Sequence, residues 1–471
     1  MLFNSFEFLV FFPIVCLIYY ALGKNKYRNP FLLMASYYFY MNWKPVYALL
    51  ILTSTVLTYL CGLLVERFQS DKRKKKLFLT LSLLINFSIL FIFKYYNFIN
   101  DSVWEVMSSL GIQWSVPNFD LLLPVGISFY TFQAVGYTID VYRGTIPAEK
   151  NFFTYALFVS FFPQLVAGPI ERATNLLPQF HKEHTLEYDN VSEGFKQMLW
   201  GFFMKLCVAD RLSEYVDAVY NNVDQHNGTS LLLATIFFTF QIYCDFGGYS
   251  NIAIGAAKIM GYNLMENFHR PYFSLSVKEF WKRWHISLST WFMDYVYIPL
   301  GGSRVKYGRH LANLMITFLV SGIWHGANWT FVLWGALHGA FLIIDNVFRK
   351  YIYQPKNETL PARLFSMALC FVLAAFAWIF FRANNVHDAF TVVGKILTER
   401  GPLFNDIMTM IFGGTSLMVL IFKDLKDEFK WNVHFMHSNN LVVRCVCVIL
   451  LLSYIMQMAA FEGGQFIYFQ F

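Results

Sequence analysis

The sequence predicts an all-α polytopic integral membrane protein, and three observations carry that expectation. Of 471 residues, 56 % are hydrophobic and 20 % aromatic, while only 14 % carry a charged side chain. The mean hydropathy is positive, which excludes an ordinary soluble globule. Uncharged runs that span or nearly span a bilayer recur along the chain, and a helix satisfies every backbone polar group within its own segment. No internal repeat, low-complexity segment or long hydrophilic stretch interrupts them, so residues 1–471 read as a single membrane domain.

The first run, Phe8–Leu22, lacks a basic leading segment and a small-residue cleavage site, so it is expected to be retained as a span. Lys24-Asn25-Lys26-Tyr27-Arg28 and the stretch Asp71–Lys76 read as short basic loops, which marks them cytoplasmic. Between them lie a short apolar segment, Phe31–Trp43, and a full one, Val46–Val65; two crossings place the amino terminus outside. Leu77–Phe93 follows. From Leu121 to Met260 the pattern loses its regularity, and Pro124, Pro163, Pro169 and the Gly247-Gly248 pair point to short or re-entrant helices. Phe365–Phe381, Ile407–Phe422 and Cys445–Phe461 close the series. Arg349–Arg363 and the three-lysine stretch Lys423–Lys430 are loops separated by two spans, so the last span delivers the carboxyl terminus outside as well. The net charge of +7 follows largely from this bias and calls for no nucleic acid. Cys16, Cys61, Cys207, Cys370, Cys445 and Cys447 lie in apolar context without metal-ligand spacing, so no metal site is expected. Cys244, beside Asp245, is the one thiol near polar chemistry.

Leu311–Ile344 contains no Asp, Glu, Lys or Arg. As one helix it would run roughly 50 Å, against a hydrocarbon core of about 30 Å, so it must break. The turn chemistry for a break lies at Ser321-Gly322-Ile323-Trp324-His325-Gly326-Ala327-Asn328. An arm from Leu311 to Ile323 reaches only about 20 Å, which puts His325 part-way through the bilayer. An ionisable group there is a functional candidate by default; the competing reading is a histidine that hydrogen-bonds two helices together.

The polar stretch from Met265 to His310 is the second distinctive feature. Trp281, Trp284 and Trp291 stand among Lys278, Lys282 and Arg283, a composition that predicts a helix lying at the interface, in contact with lipid headgroups. A further reading makes Lys282, Arg283, Arg304, Lys306 and Arg309 a cationic cytoplasmic mouth for a phosphate-bearing ligand, with a tunnel leading on to His325.

These residues carry a resemblance. Phe-Trp-x-Arg-Trp-His-x-Ser-Leu-Ser at Phe280–Ser289, followed by Trp-His-Gly at Trp324–Gly326, resembles the membrane-bound O-acyltransferase superfamily. Tyr-Ile-Pro-Leu-Gly-Gly-Ser-Arg at Tyr297–Arg304 and Gly-Pro-Ile-Glu-Arg at Gly168–Arg172 are similar to its bacterial branch of alginate O-acetylation and peptidoglycan O-acetyltransferase proteins. The resemblance begins at Met1-Leu2-Phe3-Asn4-Ser5, covers most of the chain, and is weakest in Gln354–Leu360 and Thr398–Asp406.

The resemblance implies a helical bundle with re-entrant helices and a tunnel to a buried histidine, in the bacterial cytoplasmic membrane. It implies that His325 is the catalytic histidine, a neutral imidazole able to take a proton from an acceptor hydroxyl as the oxygen attacks an acyl thioester. Acetyl coenzyme A is then the donor substrate, with no permanently bound cofactor, and an extracytoplasmic polysaccharide the acceptor. His285 either binds substrate phosphate or anchors its helix. Asp245, in the pattern Asp-Phe-x-Gly-Tyr-Ser, either pairs with Arg172 or another cation, or takes part in catalysis. Trp284, Trp291, Trp324, Asn328 and His338 complete the candidate substrate-binding set, His338 being equally suited to helix packing or proton relay.

Phe466-Ile467-Tyr468-Phe469-Gln470-Phe471 is mostly aromatic and uncharged, so it is expected to enter a groove or the outer end of the tunnel. It resembles the carboxyl-terminal motif of the small partner in the D-alanylation system, which implies Tyr468 as an acyl carrier that His325 activates and that passes acetyl to an extracytoplasmic SGNH-type serine transferase; the alternative is an aromatic interface anchor. A D-alanyl transfer protein of teichoic acid modification remains the runner-up within the superfamily. A transporter is the third class, and the inverted repeats and paired membrane acids it calls for are not visible in the sequence.

Overall fold

A computed structural model describes residues 1–352, 359–460 and 466–467. Helices of α, 3-10 and π type make up its regular structure, and no strand occurs among the described residues. Among the described residues, six helices are long and apolar enough to cross a membrane: Pro45–Arg67, Lys72–Ser109, Gly228–Ile259, Trp329–Tyr351, Leu360–Arg382 and Leu441–Met458. The chain divides into two compact units, Met1–Phe195 with Ala253–Met265 and Lys196–Ile252 with Glu266–Phe471.

In the first unit the basic stretches are less loop-like than their composition suggests. Asn25–Met41 is helical from its first basic residues onward. Arg28 is buried, donating from Nε to the Tyr19 carbonyl at 2.9 Å and from Nη1 to the His184 carbonyl at 2.6 Å. A guanidinium can do this because its fork reaches two backbone acceptors at once. Lys72–Lys76 form the first turns of Lys72–Leu90. Five cations oppose the helix dipole there, and Asp71 offsets them by capping the Arg73 and Lys74 amides. The expected short helices appear at Phe152–Ser160, Phe162–Leu165 and Ala173–Phe180, the second with Pro163 in its first turn.

The Gly247-Gly248 pair does not break a helix. It lies inside Gly228–Ile259, a continuous 32-residue helix. A Cβ on Gly248 would stand 2.8 Å from the Gly201 carbonyl oxygen and 2.9 Å from the Lys205 amide nitrogen. The glycine serves close backbone approach rather than a turn.

The second unit carries the features that position the site. The charge-free run forms a hairpin of Tyr307–His325 and Trp329–Tyr351. Its first helix starts four residues before Leu311, taking Arg309 and His310 into its first turn, so its 19 residues extend about 28 Å rather than 20 Å. The polar stretch, expected as one interfacial helix, is two short ones, Val277–Arg283 and Ile286–Phe292, joined through Trp284 and His285. Trp284 is 1 % exposed, stacked on Phe280 at 5.4 Å and packed on Trp378 at 4.9 Å, so its ring belongs to the core and not to the headgroup level.

Candidate active site

The hairpin turn places His325 at a helix end inside the protein. Tyr307–His325 stops where Gly326 turns to an extended conformation, and a Cβ on Gly326 would collide with the Phe331 ring. Asn328 then starts the return helix, its side chain accepting from the Thr330 amide at 3.0 Å. Gly322 and Gly335 let the two arms touch backbone to backbone. His325 is 3 % exposed, with the rings of Trp334 at 4.8 Å, Trp324 at 5.0 Å and Phe381 at 5.4 Å around it.

His285 is a further ring near His325, with centroids 6.5 Å apart. His285 is fully buried and takes a left-handed backbone, φ +43°, between the two short helices. Histidine tolerates this conformation better than most residues, and a positive φ at a buried site is stored strain. Asn267 holds the turn. Its Oδ1 accepts from His285 Nδ1 at 3.2 Å, from the Ser287 hydroxyl at 2.9 Å and from the Ser287 amide at 3.2 Å, while its backbone carbonyl accepts from the Ile286 amide at 2.9 Å. A residue 20 positions upstream thus supplies the N-terminal cap that His285 itself does not. Because Nδ1 donates to an amide oxygen, the basic nitrogen of His285 is Nε2.

His338 lies one indole further from His325. Trp334 stands between them, edge-on to both rings, 4.8 Å from His325 and 4.9 Å from His338. Trp281 Nε1 donates to His338 Nδ1 at 3.3 Å, which makes His338 Nε2 the protonated nitrogen of a neutral ring. That buried Nε2 has no hydrogen-bond partner among the described residues.

Asp245 pairs with a cation, and the cation is Lys205. Lys205 Nζ donates to Asp245 at 2.6 Å and to Asp210 at 2.7 Å, and all three are buried. Lys205 lies in a π-wound segment, Phe203–Ala209. An α-helix would turn residues five apart about 140° away from each other, whereas the π winding brings positions i and i+5 together. The sequence held a signal for this trio: a lone lysine in Met198–Ala209, followed at once by an aspartate.

The basic candidates divide. Lys282, Arg304, Lys306 and Arg309 are exposed. Arg283 is half-buried and donates to Glu279 at 2.6 Å and to Glu428 at 2.9 Å, while Arg270 donates to Glu428 at 2.8 Å. Burial pushes the Glu428 carboxyl up, but hydrogen bonds from Arg270 and Arg283 hold it below the ordinary value. Trp291 packs on Phe292 and Tyr295. Tyr468 lies outside the described residues. Asn267, Lys205, Asp210 and Trp334 are the site's neighbours that the sequence did not single out.

Residues 146–385 match the family model described as MBOAT, membrane-bound O-acyltransferase family. The chain belongs to this family. Its region of match contains Lys205, Asp245, His285, His325 and His338 of this O-acyltransferase. The chain is 42 % identical over 399 residues to a probable alginate O-acetylase of Azotobacter vinelandii, covering 84 % of this chain and 78 % of the relative. It is 34 % identical over 437 residues to a peptidoglycan O-acetyltransferase of Helicobacter pylori, covering 85 % and 80 %. A teichoic acid D-alanyltransferase of Bacillus subtilis is 27 % identical over 266 residues, covering 55 % and 67 %. The six apolar helices and the family together make this a multi-pass membrane enzyme.

Proposed function

We propose that this O-acyltransferase takes acetyl from acetyl coenzyme A at the cytoplasmic face of the bacterial inner membrane and directs it to hydroxyl groups of an extracytoplasmic polysaccharide. The observation that carries this reading is the buried His325 at the hairpin break with His285 beside it. His325 accepts the proton of the acceptor hydroxyl as its oxygen bonds to the thioester carbonyl carbon; the carbon–sulfur bond then breaks and the thiolate is protonated. His285, seated by Asn267, lies within reach of the same reacting group, and the His338 N–H is suited to donate to a substrate oxygen. Lys282 and Arg304 attract the donor's phosphates, with Trp284, Trp324 and Asn328 shaping the path. Tyr468 relays the acetyl group to an SGNH-type partner outside, and both termini face that side.

Acetyl is preferred to D-alanyl because the O-acetylase relatives match more of the chain at higher identity than the D-alanyltransferase does. The test is binding and transfer by the purified protein with two donors, acetyl coenzyme A and a D-alanyl carrier protein. Transfer from acetyl coenzyme A alone is expected; transfer from the carrier protein alone would overturn the acetyl reading. In cells, His325→Ala is expected to abolish polysaccharide acetylation at unchanged protein level.

A further inference from the structure

In the second unit, the last described residues are tied to the stretch Lys205–Arg211 and to Asp245, which Lys205 holds. The carbonyls that end the Leu441–Met458 helix are capped by Arg211, at 2.9 Å to Met458 and 3.2 Å to Ala459. Ala460 then donates its amide to the Leu206 carbonyl at 3.1 Å. Further on, the Ile467 amide donates to Asp245 Oδ2 at 2.7 Å, while the other oxygen of that carboxylate accepts from Lys205 at 2.6 Å.

The arrangement has an electrostatic reason. With both carboxylates ionised, Lys205, Asp210 and Asp245 carry one net negative charge in a buried place. A buried charge has to be hydrogen-bonded. The Ile467 amide supplies a donor without bringing a further ion. Glycine at 248 lets Asp245's helix approach the Lys205 backbone closely enough for this. Beside the amide, Phe466 is 2 % exposed and packs on Tyr249 at 5.0 Å and Phe246 at 5.8 Å. Phe246 in turn stands edge-on to His285 at 4.5 Å. One ring therefore separates Phe466 from the histidine pair.

We propose that Asp245, fixed by Lys205 and Asp210, is a positioning residue that docks Phe466-Ile467 of this same chain one ring away from His285, with the Ile467 amide as the point of attachment. Its bearing on turnover rests on the reading of the histidine site as the place of acyl transfer. The docking itself does not. Held in this way, the segment is presented to the site as an intramolecular group rather than meeting it by diffusion.

The test is hydrogen–deuterium exchange with mass spectrometry on the full chain in lipid nanodiscs, alongside acetyl transfer by the same samples. In the wild type the Ile467 amide is expected to exchange slowly. Asp245→Ala is expected to speed its exchange by roughly 10- to 100-fold, the factor that one hydrogen bond to a charged acceptor is worth. Asp245→Asn keeps an acceptor oxygen in place and is expected to restore most of the protection. Ile467→Pro removes the amide hydrogen and leaves the ion cluster intact, so it carries the test if Asp245→Ala fails to fold. It is expected to speed exchange in the rest of the peptide covering residues 461–471, to leave the Tyr307–Tyr351 hairpin at wild-type exchange, and to lower acetyl transfer on the order of 10- to 100-fold. Wild-type protection of that peptide in Asp245→Ala or Ile467→Pro would overturn the docking. A loosened segment with full acetyl transfer would overturn the positioning role. Failure of the transfer reading is distinguishable, because an active His325→Ala enzyme would leave the exchange result standing.

Discussion

Asn267 is the residue whose loss should be felt most widely around the histidine pair. It is 1 % exposed, and its Oδ1 serves Ser287 N–H, the Ser287 hydroxyl and His285 Nδ1. The hydroxyl can rotate toward another acceptor; the amide and the ring nitrogen are fixed in direction. Each fixed buried donor that loses its acceptor costs about 1–3 kcal/mol. Two such donors put Asn267→Ala at about 2–6 kcal/mol, a large part of a total stability of about 5–15 kcal/mol. Asn267→Asp keeps the acceptor and should recover much of this. The assay is thermal unfolding of purified wild type and both variants in one detergent, with acetyl transfer measured on the same samples. Asn267→Ala should melt at a clearly lower temperature and transfer acetyl at least about tenfold more slowly, since a ring held to less than the productive geometry loses rate steeply. If Asn267→Ala melted with the wild type and kept its rate, the cap across 20 residues would carry no weight and His285 would be seated by something else.

Other expectations follow from the same geometry. His285→Gly removes the imidazole but suits φ +43°, so it should be more stable than His285→Ala by about 1 kcal/mol while acetyl transfer falls in both; melting and transfer assays separate the two effects. Arg283→Ala takes one of two cations from Glu428, whose folded carboxyl lies below its ordinary value. A depressed carboxylate stabilises the fold above its unfolded value and loses that contribution as pH falls through the folded one, so the variant's acid unfolding midpoint should move to higher pH in a pH-titrated melt. Lys282→Ala with Arg304→Ala, both exposed cations, should weaken acetyl coenzyme A binding more at low salt than at high salt, read by calorimetry; equal loss at both would leave them a topology signal only. Gly248→Ala, whose Cβ would stand 2.8 Å from the Gly201 carbonyl oxygen, should destabilise by about 1–3 kcal/mol, read as a lower melting temperature.

What the sequence made legible and what it hid divide along physical lines. The hairpin around His325 was readable because a charge-free run longer than a bilayer has to turn, and two glycines and an asparagine marked where. The start of its first helix was not, because Arg309 and His310 look like loop residues until the helix accommodates them. Gly247-Gly248 misled for the opposite reason: the same missing side chain that breaks a helix also lets two helices touch, and only the position of Gly201 and Lys205 decides between them. The tryptophans at 281, 284 and 291 have a composition shared by interfacial helices and cores, and the left-handed turn at His285 that folds Trp284 inward leaves no trace in hydrophobic periodicity. Asp245 was legible as a carboxylate in need of a cation. Its partner was not, since Lys205 lies 40 residues away and reaches it from a π-wound segment.

The central claim is that His325 acts as the base of acetyl transfer, and transfer kinetics of the reconstituted enzyme test it most directly. Wild type, His325→Ala and His325→Gln are incorporated in liposomes with labelled acetyl coenzyme A and the polysaccharide acceptor, and donor binding is measured beside the rate. Both variants should bind the donor as the wild type does while their rates fall by about 10²–10⁴-fold, the usual contribution of a positioned general base. Transfer by His325→Ala at the wild-type rate would remove the imidazole from the chemistry and contradict the account.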